Sequence, residues 1–319
     1  MNDKHGRNIN YLRLSVTDRC NLRCCYCMPA EGVPSCSHAD ILRYEDLLCI
    51  AEAAADLGIE KVRVTGGEPL VRKGIDSFLA ELGTISGISE IVLTTNGLLL
   101  QDASLKLKSS GVDRLNVSLD SLDPRIYRRI TRGGDFEQVL AGLEAAEKAG
   151  LRLKLNMVVM RGINDHEIEE FAALSLDRPW SVRFIEYMPS IRESQWQSRL
   201  VPGSEIFENL QHRFNLLPIA KSPLCGPARS YRIPDAAGTV GIVTPISDHF
   251  CSDCNRIRVT SRGLAKSCLL SRKSLDLRPV LGQGLTEVRE ALASVIDGKS
   301  DRHHFMDDQQ GFQMSCIGG

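Results

Sequence analysis

The sequence predicts an α/β protein, an incomplete (βα)6 TIM-like barrel with a smaller C-terminal α+β region. Three observations carry that prediction. From Tyr11 to about Met188, short runs rich in Val, Ile, Leu and Thr alternate with helix-period segments, the pattern of repeated βα units around a parallel sheet. Six such runs are present, fewer than the eight of a closed barrel. Past Pro189 the texture shifts to Pro, Gly, Ser and Arg with shorter apolar pieces. Periodicity alone leaves a doubly wound sheet open as the alternative.

The strands are expected at 12–16, 62–65, 91–95, 115–119, 153–159 and 182–187, with the composition of buried parallel strands. Between them, 44–57 reads as a helix stopped by Gly58. Asp135 is a plausible N-cap for a second, whose apolar face is Phe136, Val139, Leu140, Leu143 and Ala146 and which Gly150 ends. The irregular Asp177-Arg-Pro leaves the last barrel helix undefined. Strand-like pieces follow at 230–233, 240–243 and 257–260, then a helix at 285–296 and a polar tail ending in Gly318-Gly319. The expected division is residues 1–225 for the barrel and 226–319 for the appended region.

At 319 residues and 43% hydrophobic, the chain can bury a substantial core. With 39 basic against 40 acidic residues there is no global field to attract nucleic acid or an anionic membrane, so an anionic ligand must be met by local clusters of Arg and Lys. The polar N-terminus lacks an apolar core, and no apolar run reaches the roughly 18 residues of a membrane span, so the expected location is cytoplasmic. Eleven cysteines, an odd number in a long chain, favour metal or redox chemistry over a disulfide framework.

Directly after the first strand comes Cys20-Asn-Leu-Arg-Cys24-Cys25-Tyr26-Cys27. A C-x3-C-x2-C loop can ligate three irons of a 4Fe-4S cluster and leave the fourth open for chemistry. Zinc is the competing reading, but zinc sites usually pair two C-x2-C knuckles. Cys25 is expected to be a bystander pointing away, and Cys36 and Cys49 to be structural.

If the sheet is a parallel barrel, strand C-termini converge on one mouth. The unusual polar residues sit there: Gly66-Gly67-Glu68-Pro69, Thr94-Thr95-Asn96-Gly97, Ser118-Leu119-Asp120, Lys154 with Asn156, and Met188-Pro189. Each alone reads as a turn or cap residue. Together, at five successive strands, they favour a site. Near the C-terminus stands a second triad, Cys251-Ser-Asp-Cys254 and, thirteen residues further on, Cys268. A zinc site completed by Cys225 or Cys316 is its rival reading. Arg256 and Arg258, two apart in a strand-like segment, share a face beside this triad and suit a polyphosphate. Arg13, Lys61 and Arg63 could add charge, and there is no P-loop. His249, His303 and His304 are read as ordinary polar residues.

The C-x3-C-x-Tyr-C motif resembles the signature of the radical S-adenosylmethionine (SAM) superfamily, and Gly66-Gly67-Glu68-Pro69 resembles its GGEP element. Several further segments point to one family: Asn255-Arg256-Ile257-Arg258, Phe184-Ile-Glu-Tyr-Met-Pro189, Arg114-Leu-Asn-Val-Ser-Leu-Asp-Ser-Leu-Asp123, Thr131-Arg-Gly-Gly-Asp-Phe136 and the terminal Gly-Gly. With them the chain resembles the GTP 3',8-cyclases of molybdenum cofactor biosynthesis from about Asn8 to Gly319.

The resemblance implies that Cys20, Cys24 and Cys27 hold a SAM-cleaving 4Fe-4S cluster and that Tyr26, Gly67, Glu68, Ser118 and Met188 surround SAM. It implies an auxiliary 4Fe-4S cluster on Cys251, Cys254 and Cys268, with guanine on its open iron. Arg13, Arg63, Thr94, Lys154, Arg256 and Arg258 then contact GTP. Arg256, Arg258, Gly318 and Gly319 are counted with the catalytic cysteines, the tail acting as an arm that enters the barrel. The implied reaction is loss of the ribose 3' hydrogen to a 5'-deoxyadenosyl radical, attack of C3' on guanine C8 and one-electron reduction, giving (8S)-3',8-cyclo-7,8-dihydroguanosine 5'-triphosphate. Implied partners are a one-electron donor such as flavodoxin, the next enzyme, cyclic pyranopterin monophosphate synthase, and a second copy in a homodimer. A peptide-modifying radical SAM enzyme is the runner-up. A metal-dependent nucleic-acid regulator fits poorly, for want of a basic stripe or helix-turn-helix.

Overall fold

A computed structural model of the chain describes residues 1–32, 37–188, 195–222, 224–302 and 314–318. All six expected strands are present: β1 (Tyr11–Ser15), β2 (Lys61–Thr65), β3 (Glu90–Thr95), β4 (Arg114–Ser118), β5 (Arg152–Val159) and β6 (Ser181–Glu186). They pair in parallel in consecutive order. A doubly wound sheet needs a reversal of strand order, and none occurs. With right-handed crossovers, an unreversed order puts the connecting helices on one face and leaves the other as a lumen.

The connecting helices are α1 (Tyr44–Asp56), α2 (Ile75–Leu82), α3 (Leu100–Ser109), α4 (Pro124–Thr131), α5 (Phe136–Lys148) and α6 (Ile168–Asp177). The Asp135 side chain caps α5 by accepting from the Gln138 amide, as its sequence position suggests. The stop of α6, undefined from sequence, has a local cause: Arg178 precedes Pro179 and adopts an extended backbone at φ −116°, ψ 142°.

The C-terminal chain adds α7 (Gly203–Arg213), β7 (Leu217–Ile219), β8 (Arg229–Arg232), β9 (Thr239–Val243), β10 (Arg256–Val259), β11 (Leu264–Lys266), β12 (Leu275–Asp276), α8 (Arg278–Leu281), α9 (Leu285–Asp297) and α10 (Met314–Ile317). These strands do not form a sheet of their own. The single twelve-stranded sheet runs β12-β11-β10-β1-β2-β3-β4-β5-β6-β9-β8-β7. Thus β10 pairs in parallel with β1, and β9 with β6, so the C-terminal strands extend both edges of the six-stranded barrel core.

Alternation along the strands separates core from lumen. Leu12, Leu14, Val62, Val64, Leu93, Leu115, Val117, Leu155, Val182 and Phe184 are fully buried in the hydrophobic core that holds the helices to the sheet. The intervening residues Arg13, Arg63, Thr94, Ser118, Asn156 and Arg183 face the other way and line a cavity. Among the described residues no helix is long and apolar enough to cross a membrane.

Candidate active site

The cavity has a volume of about 320 Å³ and runs along the lumen from the loops that follow β1 to β4 to the turn that precedes β10. Its wall contains most residues singled out from the sequence: Arg13, Cys20, Cys24, Tyr26, Cys27, Arg63, Gly67, Thr94, Ser118, Met188, Cys251, Cys254, Arg256, Arg258 and Cys268. Both cysteine triads therefore face one space, Cys268 beside the Cys251/Cys254 pair.

The first triad rides on the loop after β1. The loop is tied to the end of α4, where Arg23 N donates to Thr131 O at 3.2 Å and Cys25 N to Ile130 O at 2.9 Å. Cys25 is absent from the cavity wall and packs with Ile130, Met160 and Tyr187, the bystander position expected. Behind the loop lies Gly67, whose N donates to Thr17 O at 2.8 Å while Glu68 N donates to Arg19 O at 2.8 Å. An added Cβ on Gly67 would stand 2.3 Å from Arg19 O, so only glycine allows this approach.

Glu68 is buried behind the wall. Its carboxylate accepts from Leu70 N at 3.0 Å, Thr95 Oγ1 at 2.9 Å and Asn96 N at 2.7 Å, bracing the strand-end loops. Burial pushes its carboxyl up to about 7 against the pull of those donors. On the same side, Tyr26 Oη donates to Asp120 Oδ2 at 2.8 Å, and Asp120 Oδ1 accepts from Val158 N at 2.9 Å. Burial raises Asp120 to about 6.

The second triad begins in a tight turn after Phe250, and Arg256 lies over the Phe250 ring at 5.2 Å. Arg256 Nη2 reaches Cys254 Sγ at 3.7 Å. The two triads differ electrically. Burial, reinforced by Asp120, drives the Cys24 thiol well above its ordinary range. Burial is the largest single influence on the Cys254 thiol and disfavours its thiolate, but the Arg256 guanidinium, Lys299 and the hydrogen bonds from Arg256 together outweigh it and bring that thiol down to about 6.

Five arginines line the cavity, Arg13, Arg63, Arg183, Arg256 and Arg258, against the carboxylates of Asp120 and Glu186. Glu186 is occupied by Gly203 N, Ile246 N, Ser247 N and the Ser247 hydroxyl. Burial and mutual repulsion depress two of these cations, Arg183 to about 9 and Arg258 to about 10, whereas Arg256, although burial opposes it, is raised by Cys254 and Tyr11. Lys154 is absent from the wall; buried among Arg183, Arg114, Arg63 and Lys61, it is driven to about 5, burial being the largest cause. Glu90 bridges Lys61 and Arg114 at 2.6 Å each. Arg13 Nε, Arg183 Nε and Thr94 Oγ1 are buried and have no hydrogen-bond partner among the described residues. Unspent donors on a cationic wall suit an anionic ligand.

Arg183 went unremarked in the sequence, though its place between Val182 and Phe184 in a strand marks it as facing the lumen. Gly318 is drawn into the mouth: Arg258 Nη1 donates to its carbonyl at 2.7 Å, and an added Cβ would meet Thr65 Cγ2 at 2.7 Å. Gly319, Cys36, His303 and His304 lie outside the described residues.

The thiols fit clusters better than zinc. One tetrahedral zinc with Zn–S near 2.3 Å would draw its thiolates to roughly 3.8 Å of one another. Among the described residues no three Cys, His, Asp or Glu converge closely enough to hold one metal ion. All six cysteines of the two triads line the cavity, where three thiolates can ligate a cluster with one iron left open to a ligand. Cys225, once a candidate fourth ligand, is absent from the wall and interacts with Arg183.

Comparison with known proteins agrees with this geometry. Residues 14–175 match the radical SAM superfamily model, and residues 180–305 match the model described as Molybdenum Cofactor Synthesis C. A GTP 3',8-cyclase of Geobacter sulfurreducens is 55% identical over 99% of both chains. One from Pelotomaculum thermopropionicum is 47% identical over 100% of both. Among solved structures, Streptococcus suis SuiB bound to precursor peptide SuiA superposes with a TM-score of 0.63 at 15% identity, covering 92% of this chain and 68% of that one. Native anSMEcpe with bound AdoMet gives 0.60 at 16%, covering 96% and 88%, and at such identity both likenesses speak for the fold alone. Matched end to end at about half its residues, this chain belongs to the GTP 3',8-cyclase family of the radical SAM superfamily.

Proposed function

We propose that the chain converts GTP to (8S)-3',8-cyclo-7,8-dihydroguanosine 5'-triphosphate, the first step of molybdenum cofactor biosynthesis, with SAM and two 4Fe-4S clusters as cofactors. The observation that carries this reading is one cavity bounded by both cysteine triads and rich in unspent cationic donors. When bound, the clusters and SAM supply one-electron reduction and a hydrogen-abstracting 5'-deoxyadenosyl group.

The protein's part is to hold and separate. Cys20, Cys24 and Cys27 hold the first cluster, and Cys251, Cys254 and Cys268 hold the second. Tyr26, Gly67, Ser118 and Met188 surround SAM. Glu68, turned away from the wall, steadies the loops that do so. The cationic SAM sulfonium suits the side of the cavity where Asp120 lies, and the triphosphate suits Arg13, Arg63, Arg256, Arg258 and, beyond the residues expected, Arg183. Thr94 keeps a free hydroxyl for the nucleoside. Lys154 joins as a reserve of charge behind Arg183. Gly318, held by Arg258, closes the mouth, and Gly319 acts in catalysis as the end of the same arm. Opposite charge at opposite ends orders two ligands of opposite charge, so that the reacting carbons meet between them.

In this reading residues 1–225 supply the SAM half and 226–319 the auxiliary half. A one-electron carrier such as flavodoxin reduces the enzyme in the cytoplasm, cyclic pyranopterin monophosphate synthase takes the product, and the enzyme works as a homodimer. The decisive experiment is anaerobic turnover with GTP carrying deuterium at C3'. Deuterium should appear in 5'-deoxyadenosine; unlabelled 5'-deoxyadenosine beside consumed GTP refutes the reaction.

A further inference from the structure

Two buried cations outside the cavity wall grip the backbone of every segment that carries an auxiliary cysteine. Lys299 follows α9, whose Val288, Leu292 and Ile296 are fully buried, and its own amide donates to Ile296 O at 3.1 Å. The residue is 2% exposed. Its ammonium donates to Arg256 O at 2.9 Å and Ser267 O at 2.6 Å. Those carbonyls lie two residues after Cys254 and one before Cys268.

The placement has a structural logic. Antiparallel pairing of β10 with β11 is recorded at Val259↔Ala265 and Arg258↔Lys266 and stops there. Beyond it no ladder joins the two arms to each other, although Arg256 and Ile257 still pair with β1, and the arms lead on to Cys254 and Cys268. Lys299 enters at that point and supplies the donors that the ladder lacks.

Arg7 grips the remaining arm. Its Nη1 donates to Cys251 O at 2.9 Å and to Asp301 O at 3.2 Å, and its Nη2 to Ser300 O at 2.7 Å. Asp3 fixes the guanidinium through Nε at 2.7 Å, and both side chains are almost completely buried. The three segments bearing Cys251, Cys254 and Cys268 are thus joined through residues 299–301.

We propose that Lys299 and Arg7 are positioning residues of the auxiliary cluster, holding its three cysteines in one arrangement before and during ligation. The proposal rests on the two-cluster reading above. A buried ammonium with only carbonyl partners is under-compensated, and Lys299 interacts with the thiolates of both Cys254 and Cys268. An anionic cluster ligated by those thiolates supplies the missing charge, and the ammonium in turn favours the reduced cluster.

The test compares anaerobically prepared holoenzyme of the parent, Lys299→Met and the double variant Asp3→Asn/Arg7→Met, which leaves no lone charge behind. Iron, acid-labile sulfide and the electron paramagnetic resonance of the reduced clusters are measured with and without SAM. The parent should hold about eight irons per chain. Each variant should fall toward about half, keeping the SAM-responsive signal. In the fraction of Lys299→Met that retains the auxiliary cluster, its midpoint potential should drop while that of the SAM-responsive cluster stays put. Full iron with unaltered auxiliary signal and potential overturns the proposal. So does equal loss of both clusters, which would make these contacts general supports of the fold. A parent with only four irons would instead sink the two-cluster reading itself.

Discussion

Gly67→Ala tests the backbone contact behind the first triad. The backbone there does not need a left-handed residue, so the substitution is a purely steric one. Its new Cβ would lie 2.3 Å from Arg19 O, 2.6 Å from Arg19 C and 2.8 Å from Asp18 O. Ordinary contact requires a retreat of roughly 1 Å. Because the opposing atoms are backbone, no side chain can swing aside. Such a retreat stretches the 2.8 Å bonds Gly67 N→Thr17 O and Glu68 N→Arg19 O past useful length. Two lost hydrogen bonds cost about 1–3 kcal/mol and overpacking about 1–3 more, so the apoprotein should lose about 2–6 kcal/mol. At about 2.1 cal/mol/K of unfolding entropy per residue, that lowers Tm by roughly 3–9 °C. The displaced residues 17–19 run directly into Cys20, so the SAM-responsive cluster should also be lost. Differential scanning calorimetry of the apoprotein and iron analysis of the reconstituted enzyme measure the two effects. Gly282→Ala, whose methyl would meet nothing within 4 Å, is the control. A Tm within about 1 °C of the parent with full iron would refute the reasoning.

Two further outcomes follow from the cationic wall. Lys154, held to about 5 chiefly by burial, is neutral in the free protein at pH 8, and a bound triphosphate favours its ammonium. GTP binding should then be accompanied by proton uptake and tighten as pH falls toward 5, checked by titration calorimetry in buffers of different ionisation enthalpy; uptake that persists in Lys154→Met would exclude this residue as its source. Arg258→Met removes the donor to the Gly318 carbonyl, a charge-assisted bond worth about 1.5–3 kcal/mol, so amide hydrogen exchange at Gly318 should quicken about 10- to 150-fold; unchanged protection would mean that other contacts hold the tail.

The barrel core was legible because its signal is local and repeated. Each of the six strands is a run of five to eight residues with apolar positions at every second place or more, followed by a helical segment or loop, and all six lie within one residue or two of where the sequence puts them. The first cysteine triad and the strand-end polar residues were legible because the mouth of a parallel sheet collects them, and the second triad through its spacing alone. Strands β7, β11 and β12, of two or three residues, are too short to show a period. Arg7 and Lys299 were invisible for another reason. What each does is decided by backbone carbonyls far along the chain, and a carbonyl leaves no mark on the sequence.

The least legible feature is the one on which the site depends. Sequence shows that Arg256 and Arg258 share a face, but not which face. Register decides it. In the β1–β10 pair, Tyr11 stands opposite Arg256 and Arg13 opposite Arg258, while β1–β2 sets Arg13 opposite Arg63. Three arginines thereby occupy one rung across three strands, all toward the lumen, and Ile257 and Val259 turn into the core. Slipping β10 by a single residue would bury both guanidiniums among the helices and aim Ile257 and Val259 at the ligand. Such a slip strands two charges in an apolar layer at several kcal/mol each, so the apolar partners of β10 select the functional register as strongly as any ligand could. The same parallel pairing sets Cys254, two residues before Arg256, at the N-terminal end of β1, where Tyr11 N donates to Asn255 O at 3.2 Å, whereas Cys20 stands on the loop that leaves the C-terminal end. The two triads therefore face the lumen from opposite ends of the strands, at a separation set by a parallel ladder between residues more than two hundred positions apart.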